Sequence, residues 1–266
     1  MSNTTTSKLT QIFRAVRLIL HIISGLAQSA IYPRLSQPAQ KNMSKNWSIG
    51  LLSILSIRLR LSGTLPDAKD QPVMLVANHV SWLDVYSLIT VCPSRFVAKS
   101  EIRGWPFLGW LSRNVGTLFI ERKKITDIVR INQDISNALT TGDLVAIFPE
   151  GTTSDGTTVK KFHASLLQSA VAVEASLYPV AIRYHDTSGA ISKAPVYVDV
   201  SLLESLGKIL QQPWIEVELI FSDPVSSSGK NRQELARTTQ EIITNVLSPQ
   251  MSPHKEPEKS SCLPVE

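Results

Sequence analysis

Apolar residues recur at steps of three and four from Gln11 to Ile31. Ile12, Ala15, Val16, Ile19, Leu20, Ile23, Leu26, Ala27 and Ala30 share one helical face, with Arg14, Arg17, His21, Ser24 and Gln28 largely off it. Trp47 to Ile57 predicts a second apolar helix leading into a short strand around Arg58 to Ser62. The period then alternates between strand and helix. Val73 to Ala77 reads as a buried strand, Ser81 into Val91 as a helix and Arg95 to Ala98 as a strand. A short helix at Pro106 to Leu111, a strand at Val115 to Ile120 and an amphipathic helix at Ile125 to Thr140, stopped by Gly142, come next. Leu144 to Phe148 is a strand, Phe162 to Ala175 a helix and Tyr178 to Arg183 a strand. Val196 to Val200 and Ile215 to Phe221 are further strands, with helices at Leu202 to Leu210 and Gln233 to Leu247. There is no internal repeat.

Strands alternating with helices imply an α/β fold: one domain with a mixed, mainly parallel sheet flanked by helices, behind N-terminal apolar helices that associate with a membrane. The expected division is residues 1–61 for those basic, apolar helices, 62–247 for the α/β domain and 248–266 for a disordered tail rich in Pro, Ser, Lys and Glu. As a helix, Leu18 to Ile31 extends about 21 Å, short of a hydrocarbon core of about 30 Å. With His21 and Gln28 inside it, we read an interfacial or partly inserted helix ahead of a spanning one. A signal peptide is the rival, since basic residues precede an apolar run. No A-x-A site follows, however, and the basic, proline-containing stretch Tyr32 to Asn46 separates this helix from the next.

Composition sharpens that picture. The 266 residues are 43% hydrophobic and 18% charged, as in a globular protein with a sizeable core. Net charge is +5 with pI near 9.2, and its placement matters most. Up to Pro66 there are eight Lys and Arg and no Asp or Glu, a bias suited to anionic headgroups. Nucleic acid is not expected as a partner, because no zinc-finger spacing, RNP-like strand or aromatic-interleaved basic stripe accompanies the charge. Cys92 and Cys262 do not form a disulfide framework and read as unreactive thiols.

Candidate chemistry sits where predicted strands end. Asn78-His79-Val80-Ser81-Trp82-Leu83-Asp84 directly follows one, the usual place for active residues in α/β sheets. With Ser81 as N-cap, His79 falls just outside the helix and Asp84 in its first turn. A carboxylate there can take Nδ1–H and leave Nε2 as a general base. Ser81-x-x-Asp84 is equally a capping box, and His-x4-Asp arises by chance in roughly one such sequence in five. Gly116 to Arg122 is a strand ending in a cation, and Arg122 offers a donor fork for phosphate, with Lys123 and Lys124 beside it. An ordinary solvated Arg-Lys-Lys run has the same look. Phe148-Pro149-Glu150-Gly151-Thr152-Thr153-Ser154-Asp155-Gly156 supplies a glycine turn and hydroxyls for a polar headgroup, and equally a plain polar turn. Glu150 can hold Arg122 or contact the substrate. Tyr178 to Arg183 reads as a core strand. G-x-S-x-G, P-loop, G-x-G-x-x-G and His/Cys metal spacings are all missing from the sequence.

In this order and spacing, the four blocks resemble the glycerolipid acyltransferase family, typified by 1-acyl-sn-glycerol-3-phosphate acyltransferase, from about Trp47 to Phe221. The resemblance implies a catalytic His79 and Asp84, a phosphate-binding Arg122 with Gly116 as the glycine of its block, and acceptor binding by Glu150 and Gly151. Asn78 and Thr152 join the substrate-binding set, and the block around Pro179 is linked to the acyl side. Trp105, Phe107, Leu108 and Trp110 line the acyl path on one reading and pack the core on the other. The expected reaction moves a fatty acyl group from acyl-CoA or acyl carrier protein to the sn-2 hydroxyl of lysophosphatidic acid, forming phosphatidic acid. No metal or bound cofactor is expected, and the thioester is a co-substrate. The expected location is the cytoplasmic face of the inner membrane, among membrane lipids. The extension Thr152 to Gly156 looks like bacterial members, some of which acylate lyso-ornithine lipid. A non-catalytic lipid-binding protein and a thioesterase are the rivals.

Overall fold

The structure is a computed structural model describing residues 5–67, 72–104, 108–121 and 125–248, without the side chains of 108, 110, 111 and 125. Arg122, Lys123, Lys124, Trp105, Phe107 and the tail from 249 onward therefore lie outside the described residues.

In chain order the elements are α1 (Lys8–Ile31), α2 (Gln37–Ile54), β1 (Ile57–Gly63), β2 (Val73–Ala77), α3 (Leu83–Val91), β3 (Ser94–Lys99), α4 (Leu108–Asn114) and β4 (Leu118–Ile120). Then come α5 (Ile125–Thr140), β5 (Leu144–Ile147), α6 (Gln168–Ala172), β6 (Ser176–His185), α7 (Leu202–Leu210), β7 (Ile215–Phe221), β8 (Val225–Ser226) and α8 (Arg232–Leu247). One sheet runs β1-β7-β6-β2-β5-β3-β4, with β8 paired to β6. Pairing is parallel except where β6 meets β7 and β8. The mixed, mainly parallel sheet flanked by helices is thus the expected one.

Central strands are apolar throughout because both faces are covered. Val73, Leu75 and Ala77 of β2 join Leu51, Leu55, Leu83, Leu88 and Ile209 under α2, α3 and α7. Met74 and Val76 join Ile131, Ile135, Leu167, Leu235 and Ile243 under α5, the 164–172 segment and α8. This double cover fixes β2 and β5, and the loops carrying His79 and Glu150 leave from their carboxyl ends.

Several boundaries differ from the sequence reading. Most of Tyr32 to Asn46 is helical, since Pro38 sits in the first turn of α2, where its missing N–H costs nothing. A domain border after residue 61 falls inside β1, which pairs with β7 from Ile57 through Gly63 and belongs to the sheet. Val196 to Val200 is not a strand. Asp199 has φ +51, and Tyr197 donates its N–H to Val80 O, so the segment braces a loop. The helix expected over Phe162 to Ala175 contracts to a 3-10 turn, Ala164–Leu167, plus α6, and Glu174 turns out of it at φ +52. Ser81 is not the N-cap of α3; Trp82 holds that place.

Helix α1 lies against the domain along its length. Thr6 Oγ1 donates to Leu210 O at 2.9 Å, and the Arg14 guanidinium donates to Gln212 O and Pro213 O at the end of α7. Leu18 enters the core, and His21 stacks on Trp47 with ring centroids 4.7 Å apart. Gly25 is required here, because a Cβ would stand 2.5 Å from the Trp47 indole nitrogen. Leu9, Ile12, Phe13, Val16, Ile19, Leu20 and Ile23, by contrast, are each at least half exposed.

Candidate active site

The loop leaving β2 brings His79 and Asp84 together. His79 Nδ1 stands 2.8 Å from Asp84 Oδ2, and the same oxygen accepts the backbone N–H groups of Val80 at 2.7 Å and Ser81 at 2.9 Å. Asp84 thus satisfies two backbone donors of its own loop and holds the imidazole with the same oxygen. Its other oxygen, Oδ1, accepts the Tyr184 hydroxyl at 2.6 Å. A carboxylate with no exposure is costly unless its lone pairs are filled, and these bonds fill them. An acceptor at Nδ1 assigns the proton to that nitrogen, leaving the Nε2 lone pair without a partner among the described residues. The His79 side chain keeps 20% of its surface exposed, so it is reachable.

The loop leaving β5 is laced to the first loop through its backbone. Glu150 Oε1 accepts His79 N–H at 2.7 Å, while Oε2 accepts Lys160 N–H at 2.9 Å. Ser154 N–H donates to His79 O at 2.7 Å, so His79 is gripped from both sides of its peptide frame. Thr153 Oγ1 donates to Tyr197 O, which draws in the 196–200 segment. Phe148 lies flat on the imidazole, with ring centroids 4.0 Å apart and planes 12° apart. Gly151, at φ +73, makes the turn that allows this return, and its N–H donates to Phe148 O. Burial pushes the Glu150 carboxyl above its ordinary range, and the bonds from His79 N–H and Lys160 N–H pull it back.

Two expected acceptor contacts change role. Asn78 is 1% exposed and uses its amide on Ile182, donating to the carbonyl at 3.0 Å and accepting the N–H at 2.7 Å. Those bonds pin the end of β2 to β6, and so sealed an amide cannot reach a substrate. Glu150, 3% exposed with both oxygens on backbone N–H groups, clamps the loop that carries His79. Thr152 is exposed beside Gly151. Gly116 has φ +79, in the turn ahead of β4, and sits against the Arg95 guanidinium. Arg122 and its two lysines lie past β4, outside the described residues. Tyr184 escaped the sequence reading. The alternation of β6 was the available signal, since it places Tyr178, Val180, Ile182 and Tyr184 on the face that packs with α3.

A cavity of about 110 Å³ opens between α1, α2, α3 and β3, lined among others by Gly25, Trp47, Tyr86, Ile89 and Phe96. Phe96 stacks on Phe148 at 5.9 Å, so the cavity wall stands two rings from His79. Cys92 is buried and its thiol pushed up to about 12 by burial, against a smaller opposing pull from Lys45, which makes it inert. Among the described residues, no cluster of His, Cys, Asp and Glu could hold a metal ion.

An imidazole held by a buried carboxylate thus stands two rings from a cavity that α1 walls on one side. The acyltransferase family model matches residues 57–183. A lyso-ornithine lipid O-acyltransferase of Pseudomonas aeruginosa is 35% identical, across 91% of this chain and 95% of its own length. A 1-acyl-sn-glycerol-3-phosphate acyltransferase of Neisseria meningitidis is 39% identical across 75% and 78%. The crystal structure of the 1-acyl-sn-glycerophosphate acyltransferase PlsC of Thermotoga maritima shares the fold, with a TM-score of 0.70, 19% identity and coverage of 93% and 97%. The chain belongs to the acyltransferase family. It is an enzyme of the O-acyltransferase type represented by these relatives.

Proposed function

We propose that this enzyme transfers a fatty acyl group from acyl-CoA or acyl carrier protein to the sn-2 hydroxyl of 1-acyl-sn-glycerol-3-phosphate, forming phosphatidic acid. The observation that carries the reading is the imidazole held at 2.8 Å by a buried carboxylate, with 20% of its side-chain surface exposed. His79 Nε2 takes the acceptor's hydroxyl proton as that oxygen attacks the thioester carbonyl. The tetrahedral oxyanion collapses, the C–S bond breaks, and the proton passes from His79 to the departing sulfur. An ester and a free thiol leave. Phe148 supports the imidazolium face, and the nearby cavity gives the acyl chain an apolar berth. By its family motif Arg122 is assigned the acceptor's phosphate, so Arg122→Ala raises KM for the lysolipid and leaves that for the thioester unchanged.

Helix α1 supports work at a membrane surface. By length and composition it could cross one. Its attachments at Thr6, Arg14, Leu18, His21 and Gly25 run nearly end to end along the domain, which favours a helix lying in the interface with its apolar face in lipid. The basic residues of this region suit an anionic leaflet, and we place the enzyme on the cytoplasmic face of the inner membrane.

Lyso-ornithine lipid is the second acceptor reading, favoured by the nearly full-length match to the Pseudomonas relative. Purified enzyme given labelled acyl-thioester and a panel of lysolipids decides between them. Labelled phosphatidic acid is the expected product, and labelled ornithine lipid alone would transfer the assignment. Label released only as free fatty acid, whatever the acceptor, would end the transfer reading.

A further inference from the structure

Tyr184 lies next to the last residue of β6, outside the motifs that identify the family. Its hydroxyl reaches 100 residues back along the chain to Asp84 Oδ1 at 2.6 Å. The carboxylate is therefore gripped at both oxygens by different parts of the fold. Its own loop and His79 take Oδ2, and the sheet takes Oδ1. A buried phenol needs some acceptor, and many would serve. Here the acceptor is the group that orients the base.

The terminal torsion of an aspartate is soft, so a carboxylate held at one oxygen rocks about its last bond. Rocking swings the lone pair away from Nδ1 and spreads the direction in which Nε2 points. A second anchor on the sheet removes that freedom, because Tyr184 is paired with Val217 of β7 and its carbonyl accepts the Ser192 N–H. Tyr184 is 2% exposed and its pKa lies well above the ordinary phenol value, raised first by burial and then by the Asp84 charge. It stays a donor at every working pH. Ser81 and Ser87 lie beside it, both fully buried.

We propose that Tyr184 is a positioning residue for acyl transfer: its hydroxyl fixes the Asp84 carboxylate and tempers how strongly that carboxylate holds the His79 imidazolium. This rests on His79 being the base.

The test is Tyr184→Phe, which keeps the ring and removes one bond to a charged group. Expected is a kcat lower by about ten- to a hundredfold with both KM values unchanged. Without the phenol, more of the carboxylate's charge falls on Nδ1, so the imidazole holds a second proton more tightly. The acid limb of kcat against pH then moves upward, by roughly half a unit or more. Site-specific 3-fluorotyrosine at position 184, a stronger donor of nearly the same shape, moves that limb downward, and decides the matter if the phenylalanine variant does not fold. A kcat and pH profile like those of the unaltered enzyme overturn the assignment. So does a loss confined to KM, or one matching a loss of folded protein with the limb unmoved. His79→Ala run in parallel separates the two ideas. An active His79→Ala enzyme sinks the base itself, whereas an inactive one beside a normal Tyr184→Phe sinks only the role of Tyr184.

Discussion

The surroundings of Asp84 and the outer face of α1 both invert the usual placement of side chains. Around Asp84, a charge, an asparagine and a glutamate are buried, and the cost is offset bond by bond. Along α1, a row of large apolar residues faces outward, at least half exposed among the described residues. The first inversion is met by bonds within the molecule, and the second is the face that the proposed lipid surface would cover. A polar interior built this way resists change, because removing one partner strands another. An apolar exterior tolerates substitution in water and reveals its cost only against lipid.

The sharpest way to break the polar half is His79→Ala. The expected fall in kcat is about a hundred- to ten-thousandfold, with KM little changed and circular dichroism retained. Near-normal turnover would make the Asp84 pocket a scaffold alone. The apolar half is addressed by Ile12→Asp combined with Phe13→Asp, both at positions 60% exposed. Binding to anionic vesicles should fall by roughly a hundredfold or more, while melting temperature and turnover of detergent-dispersed substrate hold. Unchanged vesicle binding would release α1 from its proposed role.

The smallest effect concerns Glu150. Burial raises its folded pKa above the ordinary carboxyl range, against the pull of two backbone N–H bonds. A carboxyl shifted upward binds its proton more tightly when folded, so the stability it confers is greatest at low pH and declines as pH rises through that shifted range. Glu150→Gln lacks this titration. Melting curves from pH 4 to 8 should therefore show the difference between native and variant moving in the variant's favour with rising pH. A constant difference would mean that the bonds from His79 and Lys160 balance burial, and a difference moving the other way would mean that they outweigh it.

What could be read from the chain alone follows the same division. The His79–Asp84 pair was legible because its members are close in sequence and one turn joins them. The strands β2 and β7 and the helices α5 and α7 were legible because their periods are clean. Tyr184 was not, since nothing local marks a tyrosine whose partner lies 100 residues away. Asn78 and Glu150 looked like ligands because sequence shows polarity but not the backbone groups that consume it. Val196 to Val200 has strand-like composition, and only the tertiary bonds of Tyr197 reveal a brace. Helix α2 starts at Gln37 because proline at a helix start is permitted, a distinction that composition blurs.

Gly25 and Ser29 of α1 line the cavity, while Leu20 and Ile23 of the same helix look outward. A single helix thickness, on the order of 10 Å, therefore parts the cavity from the outward apolar face of α1. Trimming the first three dozen residues to make a better-behaved preparation would strip away a wall of the cavity together with the proposed lipid-facing surface. An inactive truncated enzyme would then say nothing about whether attachment to lipid is needed for turnover, and the question has to be put through outward-facing substitutions in the intact chain.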